Sequence, residues 1–279
     1  MSISRNIVVT GTNRGIGQAI ASILLSQPHL CPLTLWATTR RGDDLELRAP
    51  HSGRVHIRYP SLDIADPQSV RGFADHIQRN ADNSQVDVLI NNAGVNLDDQ
   101  YGPRNAEKTL DVNYRGTLNM CRTFIPLLTP GTGRIVNVSS VASKLVPYSA
   151  AVQSRFRGPD LSFEGLESLA QEFQTSVRNK TESADGFVAP GRSYNFSKAC
   201  VNALTRILAR QNPGLIVNAC CPGWVKTDMG VMVGRPPKTP EEGAQIPVRL
   251  AVGDIGGVTG AYWANPSVRS REAGQVQEW

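Results

Sequence analysis

The chain has 279 residues, 40% of them hydrophobic and 19% charged, enough to bury the core of one large α/β domain or two small ones. That balance excludes a disordered chain and an integral membrane protein. The net charge of +5 comes from basic residues scattered with no run longer than Arg40-Arg41, so it reads as an ordinary solvated surface and no nucleic-acid partner is expected.

Residues 15–39 contain no Asp, Glu, Lys or Arg, but Gln18, Gln27, Pro28, His29 and Pro32 interrupt them. The stretch therefore predicts a helix, a turn and a buried strand, with no membrane span. After Arg5 only Ile7, Val8 and Val9 run continuously apolar, too short for the core of a signal peptide, so none is expected. Five cysteines, an odd number without C-x-x-C spacing, argue for reduced thiols and a cytoplasmic setting. All four histidines (His29, His51, His56, His76) lie in the first third without a His-x-x-x-His pair, so no metal site is expected. There is also no G-x-S-x-G turn to carry a Ser-His-Asp hydrolase.

Residues 6–10 predict a short buried strand, followed by a glycine-rich turn and then Ile16, Ala19, Ile20, Ile23 and Leu24 at helical spacing. The pattern recurs: a strand over 33–39, a brief helix near 44–48, a strand over 55–59, a helix opening at Asp66-Pro67, and a strand over 86–90. A long helix over 109–128, a strand over 134–138, a helix from Tyr194 to about Arg210 and a strand over 215–219 complete it. Within 141–193, Leu166, Leu169, Ala170, Phe173 and Val177 also recur at helical spacing, opposite Glu164, Glu167, Gln171, Glu172 and Gln174, which predicts an inserted amphipathic helix. The alternation predicts a doubly wound parallel sheet of Rossmann type, one α/β domain over 1–279 with 141–193 as an insertion.

Between the first strand and the first helix lies Thr10-Gly11-Thr12-Asn13-Arg14-Gly15-Ile16-Gly17. Glycine here lets the backbone approach a pyrophosphate at the helix N-terminus, although a turn that merely joins strand to helix is the plainer alternative. The spacing is G-x-x-x-G-x-G and lacks the Gly-Lys-Ser/Thr of a P-loop, which disfavours an NTPase. At the end of the second strand, where an acid would grip a ribose 2′-hydroxyl, the sequence reads Ala37-Thr38-Thr39-Arg40-Arg41, and no carboxylate appears until Asp43. Arg40 and Arg14 instead suit a 2′-phosphate, against the reading of Arg40-Arg41 as a solvated loop pair.

Tyr194 and Lys198 stand four residues apart, on one face of the helix whose apolar side carries Val201, Leu204 and Leu208. Ser140 follows the 134–138 strand, at the carboxyl edge where open α/β sheets bind ligands.

Taken together, these residues resemble the short-chain dehydrogenases/reductases. The matching elements are the glycine turn, Asn91-Asn92-Ala93-Gly94, Asn113 in Asp111-Val112-Asn113-Tyr114-Arg115-Gly116, Ser139-Ser140, Tyr194-x-x-x-Lys198 and Cys221-Pro222-Gly223. Within that family the chain is similar to the monomeric NADPH-dependent carbonyl reductases, through the run from Asn218 to Met229, Pro240-Glu241-Glu242-Gly243-Ala244, the terminal Val276-Gln277-Glu278-Trp279 and the long interval from Ser140 to Tyr194.

The resemblance implies reduction of ketones, aldehydes or quinones with NADPH, leaving NADP+. Asn113, Ser140, Tyr194 and Lys198 are its implied catalytic set: Tyr194 the proton donor, Ser140 a hydrogen-bond donor to the carbonyl oxygen, Lys198 the partner of the nicotinamide ribose, and Asn113 the holder of a relaying water. A free phenol has a pKa of ~10, so Lys198 and the oxidised nicotinamide are expected to lower it. Implied coenzyme contacts are Gly11, Asn13, Arg14, Gly15, Ile16, Gly17, Arg40, Asp63, Ile64, Asn91, Ala93, Gly94, Tyr194, Lys198, Pro222, Gly223, Val225 and Thr227. Val141, Leu145, Trp224 and Met229 are candidates for the substrate pocket, with a core role as the plain alternative for Val141 and Trp224. Cys220-Cys221, adjacent at a buried strand end, are expected to be inert. In oligomeric relatives the Tyr-Lys helix forms a subunit contact; the inserted helix is expected to cover that surface within the chain, leaving a monomer. Two further readings stay open: a non-enzymatic NADP(H)-binding redox sensor, which need not keep an aligned acid, and a dedicated biosynthetic ketoreductase with one substrate.

Overall fold

The computed structural model describes residues 4–81 and 84–279. Its strands are β1 (Arg5–Thr10), β2 (Leu33–Thr38), β3 (Val55–Arg58), β4 (Val88–Asn91), β5 (Arg134–Val138), β6 (Ile216–Cys220), β7 (Tyr262–Ala264) and β8 (Gln275–Gln277). They form one sheet in the order β3-β2-β1-β4-β5-β6-β7-β8, parallel throughout except for the antiparallel β7–β8 pair. The order reverses between β1 and β4, and this switch point opens the crevice that holds the site.

Alternation along the strands divides the core into two layers. Val8, Trp36, Leu89, Ile135 and Val217 point to one face, where they meet α2 (Pro67–Asn80), α4 (Thr117–Phe124) and α7 (Ser193–Gln211). Ile7, Val9, Leu35, Ile90 and Val136 point to the other, against α1 (Gly15–Leu25) and α9 (Pro240–Val252). Local chemistry sets the helix starts. Asp66 accepts from the Gln68 amide ahead of α2, with Pro67 in its first turn, and a Thr239/Glu242 capping box opens α9.

Among the elements read from the sequence, two differ by more than their end residues. Residues 44–48 form no helix: the Asp44 carboxylate takes the Glu46 amide at 2.8 Å, Glu46 turns to φ +53° and the Leu47 amide donates to the Tyr59 hydroxyl at 3.0 Å. Side chains thus satisfy the amides that a helix would have used. The helix expected over 109–128 begins earlier, as α3 (Pro103–Leu110), and reaches α4 through a π-helical turn, Asp111–Gly116, that carries Asn113.

The insertion contains α5 (Ala150–Arg157) and α6 (Phe163–Asn179), and a short α8 (Asp228–Val231) follows β6. The apolar stripe of α6 lies against α7: Leu166, Leu169, Ala170, Phe173 and Val177 are buried, and Phe173 stacks on Phe196 at 4.1 Å between ring centroids. Truncating Phe173 to alanine removes a fully buried ring, and denaturant unfolding is expected to show a loss of about 3–5 kcal/mol. Arg115 adds a polar clamp, bonded to Asp111 and to Glu167 of α6 at 2.7 Å each, which ties the π turn to the insertion.

Candidate active site

A cavity of about 1260 Å³ runs along the carboxyl edge of the sheet, from Arg40 past the glycine turn to Tyr194 and Lys198. That exceeds the roughly 300–1,000 Å³ of common small-molecule pockets and suits an extended ligand. Among the described residues no cluster of metal-ligating side chains is present, and no helix is long and apolar enough to cross a membrane.

The glycine turn is held from both sides. The Gly11 and Thr12 amides donate to the Thr38 carbonyl, and the Asn92 side-chain amide donates to the carbonyls of Thr10 and Gly11 at 2.9 and 3.1 Å. Gly11 sits at φ +71°, and a Cβ on Gly17 would lie 2.1 Å from the Gly11 carbonyl oxygen, so the turn admits no side chain at position 17. At the start of α1 the N-cap residue, Arg14, makes no side-chain cap and the first turn has no acid. Its unpaired amides and positive dipole end face the cavity, as an anion requires. Asn13, Gly15, Ile16, Asp63, Ile64, Ala93, Gly94, Pro222 and Thr227 also line it.

The cations at the cavity's outer end differ in their partners. Arg14 is ion-paired with Asp228 at the start of α8, and Arg41 with Asp43 at 3.0 Å. Arg40, exposed beyond β2, has no ion pair among the described residues.

At the inner end, Tyr194 and Lys198 project from the first turns of α7. The Lys198 ammonium is buried, donates to the Val138 carbonyl at 2.7 Å and lies 5.7 Å from the centroid of the Tyr194 ring. Burial lowers its pKa to about 8 and raises that of the Tyr194 phenol to about 12, against which the Ser140 hydroxyl pulls downward. The expected lowering by Lys198 is not among the influences on the phenol, and the Lys198 ammonium is itself held on a backbone carbonyl. Ser140 also accepts from the Ala142 amide at 3.1 Å, capping a short 3₁₀ turn, Val141–Ser143. Asn113 lies beneath this group: its side chain exchanges two 2.8 Å bonds with the Val95 backbone and donates to Ser197 at 2.9 Å.

Several sequence candidates fall elsewhere. Asn91 points into the core and donates to Asn137 at 2.9 Å, whereas its neighbour Asn92, on the opposite side of the strand end, braces the turn. Gly223, at φ +87°, packs beside Lys238, and buried Val225 packs on Gly243 of α9. Neither borders the cavity. Leu145 is fully buried in the main core and is no pocket residue. Val141 packs partly buried beside Cys221, and Trp224 donates its indole N–H to the Gly230 carbonyl under Arg269, so of the four pocket candidates only Met229 lines the cavity. Burial pushes both the Cys220 and Cys221 thiols up, which leaves them protonated.

The model of the short chain dehydrogenase family matches residues 5–153, just over half of the chain. The chain belongs to the short-chain dehydrogenase family. It is 37% identical to carbonyl reductase (NADPH) 3 of Rattus norvegicus over 90% of this chain and 92% of that protein, and 35% identical to human carbonyl reductase (NADPH) 1 over 88% and 90%. Among solved structures it is similar to salutaridine reductase of Papaver somniferum, with a TM-score of 0.80 and 29% identity over 92% of this chain and 99% of that one. For a short-chain dehydrogenase, the uncapped α1 terminus and the glycine turn form a cradle that fits a dinucleotide diphosphate.

Proposed function

We propose that this short-chain dehydrogenase reduces the carbonyl groups of ketones, aldehydes or quinones to alcohols with NADPH, in the manner named for its mammalian relatives. The observation that carries the reading is that Tyr194 and Lys198 line the inner end of a cavity, with the Ser140 hydroxyl behind its wall beside the Tyr194 phenol, while the uncapped start of α1, Arg14 and Arg40 line its outer end.

When bound, NADPH supplies the hydride. The amides of the glycine turn and α1 would hold its diphosphate, Arg40 and Arg14 its 2′-phosphate, Asp63 and Ile64 its adenosine part, and Lys198 its nicotinamide ribose. Arg14 exchanges its exposed pair with Asp228 at little cost, because surface ion pairs contribute only ~0–1 kcal/mol. Ser140 hydrogen-bonds the carbonyl oxygen as charge develops on it, and Tyr194 delivers the proton that completes the alcohol. Asn113, wedged against Gly94 and bonded to Val95 and to Ser197 next to Lys198, keeps that corner rigid. Met229 offers an apolar wall for the substrate.

The test is purified protein with NADPH and a panel of aldehydes, ketones and quinones, read as loss of the reduced nicotinamide absorbance. Carbonyl-dependent oxidation is expected with several members, and its absence with all of them would favour the sensor reading. The covered α6 stripe supports a monomer, so light scattering at micromolar concentration is expected to give a mass near 30.2 kDa; a stable dimer or tetramer contradicts this. Five unpaired cysteines, four of them buried, suit the cytoplasm.

A further inference from the structure

Tyr194 occupies a weak point of its own helix. It is the second residue of α7, and the first turn of a helix has no intrahelical partners for its amides. The N-cap residue is Arg192, which makes no side-chain cap and follows Gly191 at φ +80°. An α7 built only from its own segment would therefore leave the Ser193 and Tyr194 amides unpaired, and fraying of that turn would move the phenol.

Those groups are taken by a residue far away in sequence. The Asp98 carboxylate accepts from the Ser193 amide at 3.1 Å and from the Ser193 hydroxyl through one oxygen, and from the Tyr194 amide at 3.0 Å through the other. Asp98 is itself held: its amide donates to Asn96 Oδ1 at 3.1 Å, and it opens a 3₁₀ turn, Asp98–Gln100. Next to that turn Tyr101 donates to the buried Glu182 at 2.6 Å, fixing the loop to the insertion. Both carboxylate oxygens are thus spent on the one turn that carries the phenol, and a negative charge at a helix N-terminus is in its favourable place.

We propose that Asp98 is a positioning residue for the proton donor, its carboxylate fixing the first turn of α7 and setting a negative charge at the helix end that carries Tyr194. The proposal rests on the assignment of Tyr194 as donor. Influences on the phenol act in both directions: burial foremost, then Cys221 and Asp98, favour the protonated form, the Ser140 hydroxyl favours the anion, and Lys198 lies 5.7 Å from the ring. Around Asp98 stand the Tyr101 phenol and, through it, Glu182. For reduction the sign is useful. A carboxylate on the turn that carries the phenol opposes its ionisation, so the acid keeps its proton to higher pH.

The test compares full-length wild type, Asp98→Asn, Ser193→Ala and Tyr194→Phe, measuring kcat/KM for para-nitrobenzaldehyde at saturating NADPH from neutral pH upward, with NADPH affinity by fluorescence titration. Asp98→Asn removes the charge and turns one acceptor into an opposing donor. Its kcat is expected to fall roughly three- to tenfold, and its alkaline limb to move to lower pH by about half a unit, with NADPH affinity unchanged. Ser193→Ala removes one bond and keeps the charge, so its limb stays with wild type; a purely structural cap predicts that neither limb moves. An Asp98→Asn enzyme that binds NADPH normally and keeps the wild-type limb overturns the proposal, as does one that has lost NADPH binding. An inactive Tyr194→Phe beside an unmoved Asp98→Asn limb rejects Asp98 alone, whereas a fully active Tyr194→Phe rejects the donor assignment itself.

Discussion

Replacing Tyr194 by phenylalanine is expected to lower kcat for carbonyl reduction by at least ~10²-fold, the scale of a lost general acid, while NADPH affinity stays within a few-fold. The variant separates chemistry from binding because the surrounding groups are anchored independently of the hydroxyl. Lys198 is bonded to the Val138 carbonyl, Ser140 to the Ala142 amide, and the backbone of residue 194 to Asp98. Removing one oxygen leaves these contacts in place. With the phenol held near pKa 12, the wild-type donor stays protonated across neutral pH, so reduction is expected to be flat there and to fall only in strongly alkaline buffer. Steady-state kinetics with coenzyme titration provides the check, and near wild-type turnover in Tyr194→Phe would mean that the proton comes from another group.

The second large effect concerns the coenzyme. NADPH is expected to exceed NADH in kcat/KM by roughly tenfold or more, since a charge-assisted hydrogen bond contributes about 1.5–3 kcal/mol. Arg40 carries this expectation because it stands just beyond β2 without an ion-pair partner among the described residues, whereas Arg14 must first leave Asp228. On the proposed reading Arg40→Asp would put an acid beside the ribose 2′-position, favouring a 2′-hydroxyl and repelling a 2′-phosphate, and the preference is expected to move at least tenfold toward NADH. Equal efficiencies with the two coenzymes in the wild-type protein would remove the basis for both statements.

Strand and helix alternation was readable from apolar spacing because the central parallel strands are buried on both faces, leaving short continuous apolar runs between turn signals, while the edge strand β3 alternates. The 134–138 strand coincides with β5, and the α6 stripe is buried residue by residue as its spacing suggested. Legibility ended where tertiary partners decide. The π turn at Asn113 has no local signature, and the segment after Gly42 looked helical until Asp44 and Tyr59 took its amides. In the pair Asn91-Asn92, one residue reaches the core and the next braces the glycine turn, a distinction that depends on where β4 ends. Leu145 shows the same limit, since an apolar residue in a loop reads alike whether it lines a pocket or fills the core. Asp98 was invisible for a different reason: its partners lie across the whole insertion, and no spacing rule connects them.

Hydride transfer to carbon is the central claim, and isotopic labelling tests it most directly. The protein is incubated with a reducible aldehyde or ketone and NADPH deuterated at the transferring position of the nicotinamide, and the product is examined by mass spectrometry and proton NMR. The expected result is an alcohol with one deuterium on the former carbonyl carbon, formed in equal amount to NADP+. Recovery of unchanged carbonyl compounds across aldehydes, ketones and quinones, from protein that binds NADPH and melts cooperatively, would contradict the account and leave a coenzyme-binding protein without carbonyl reductase activity.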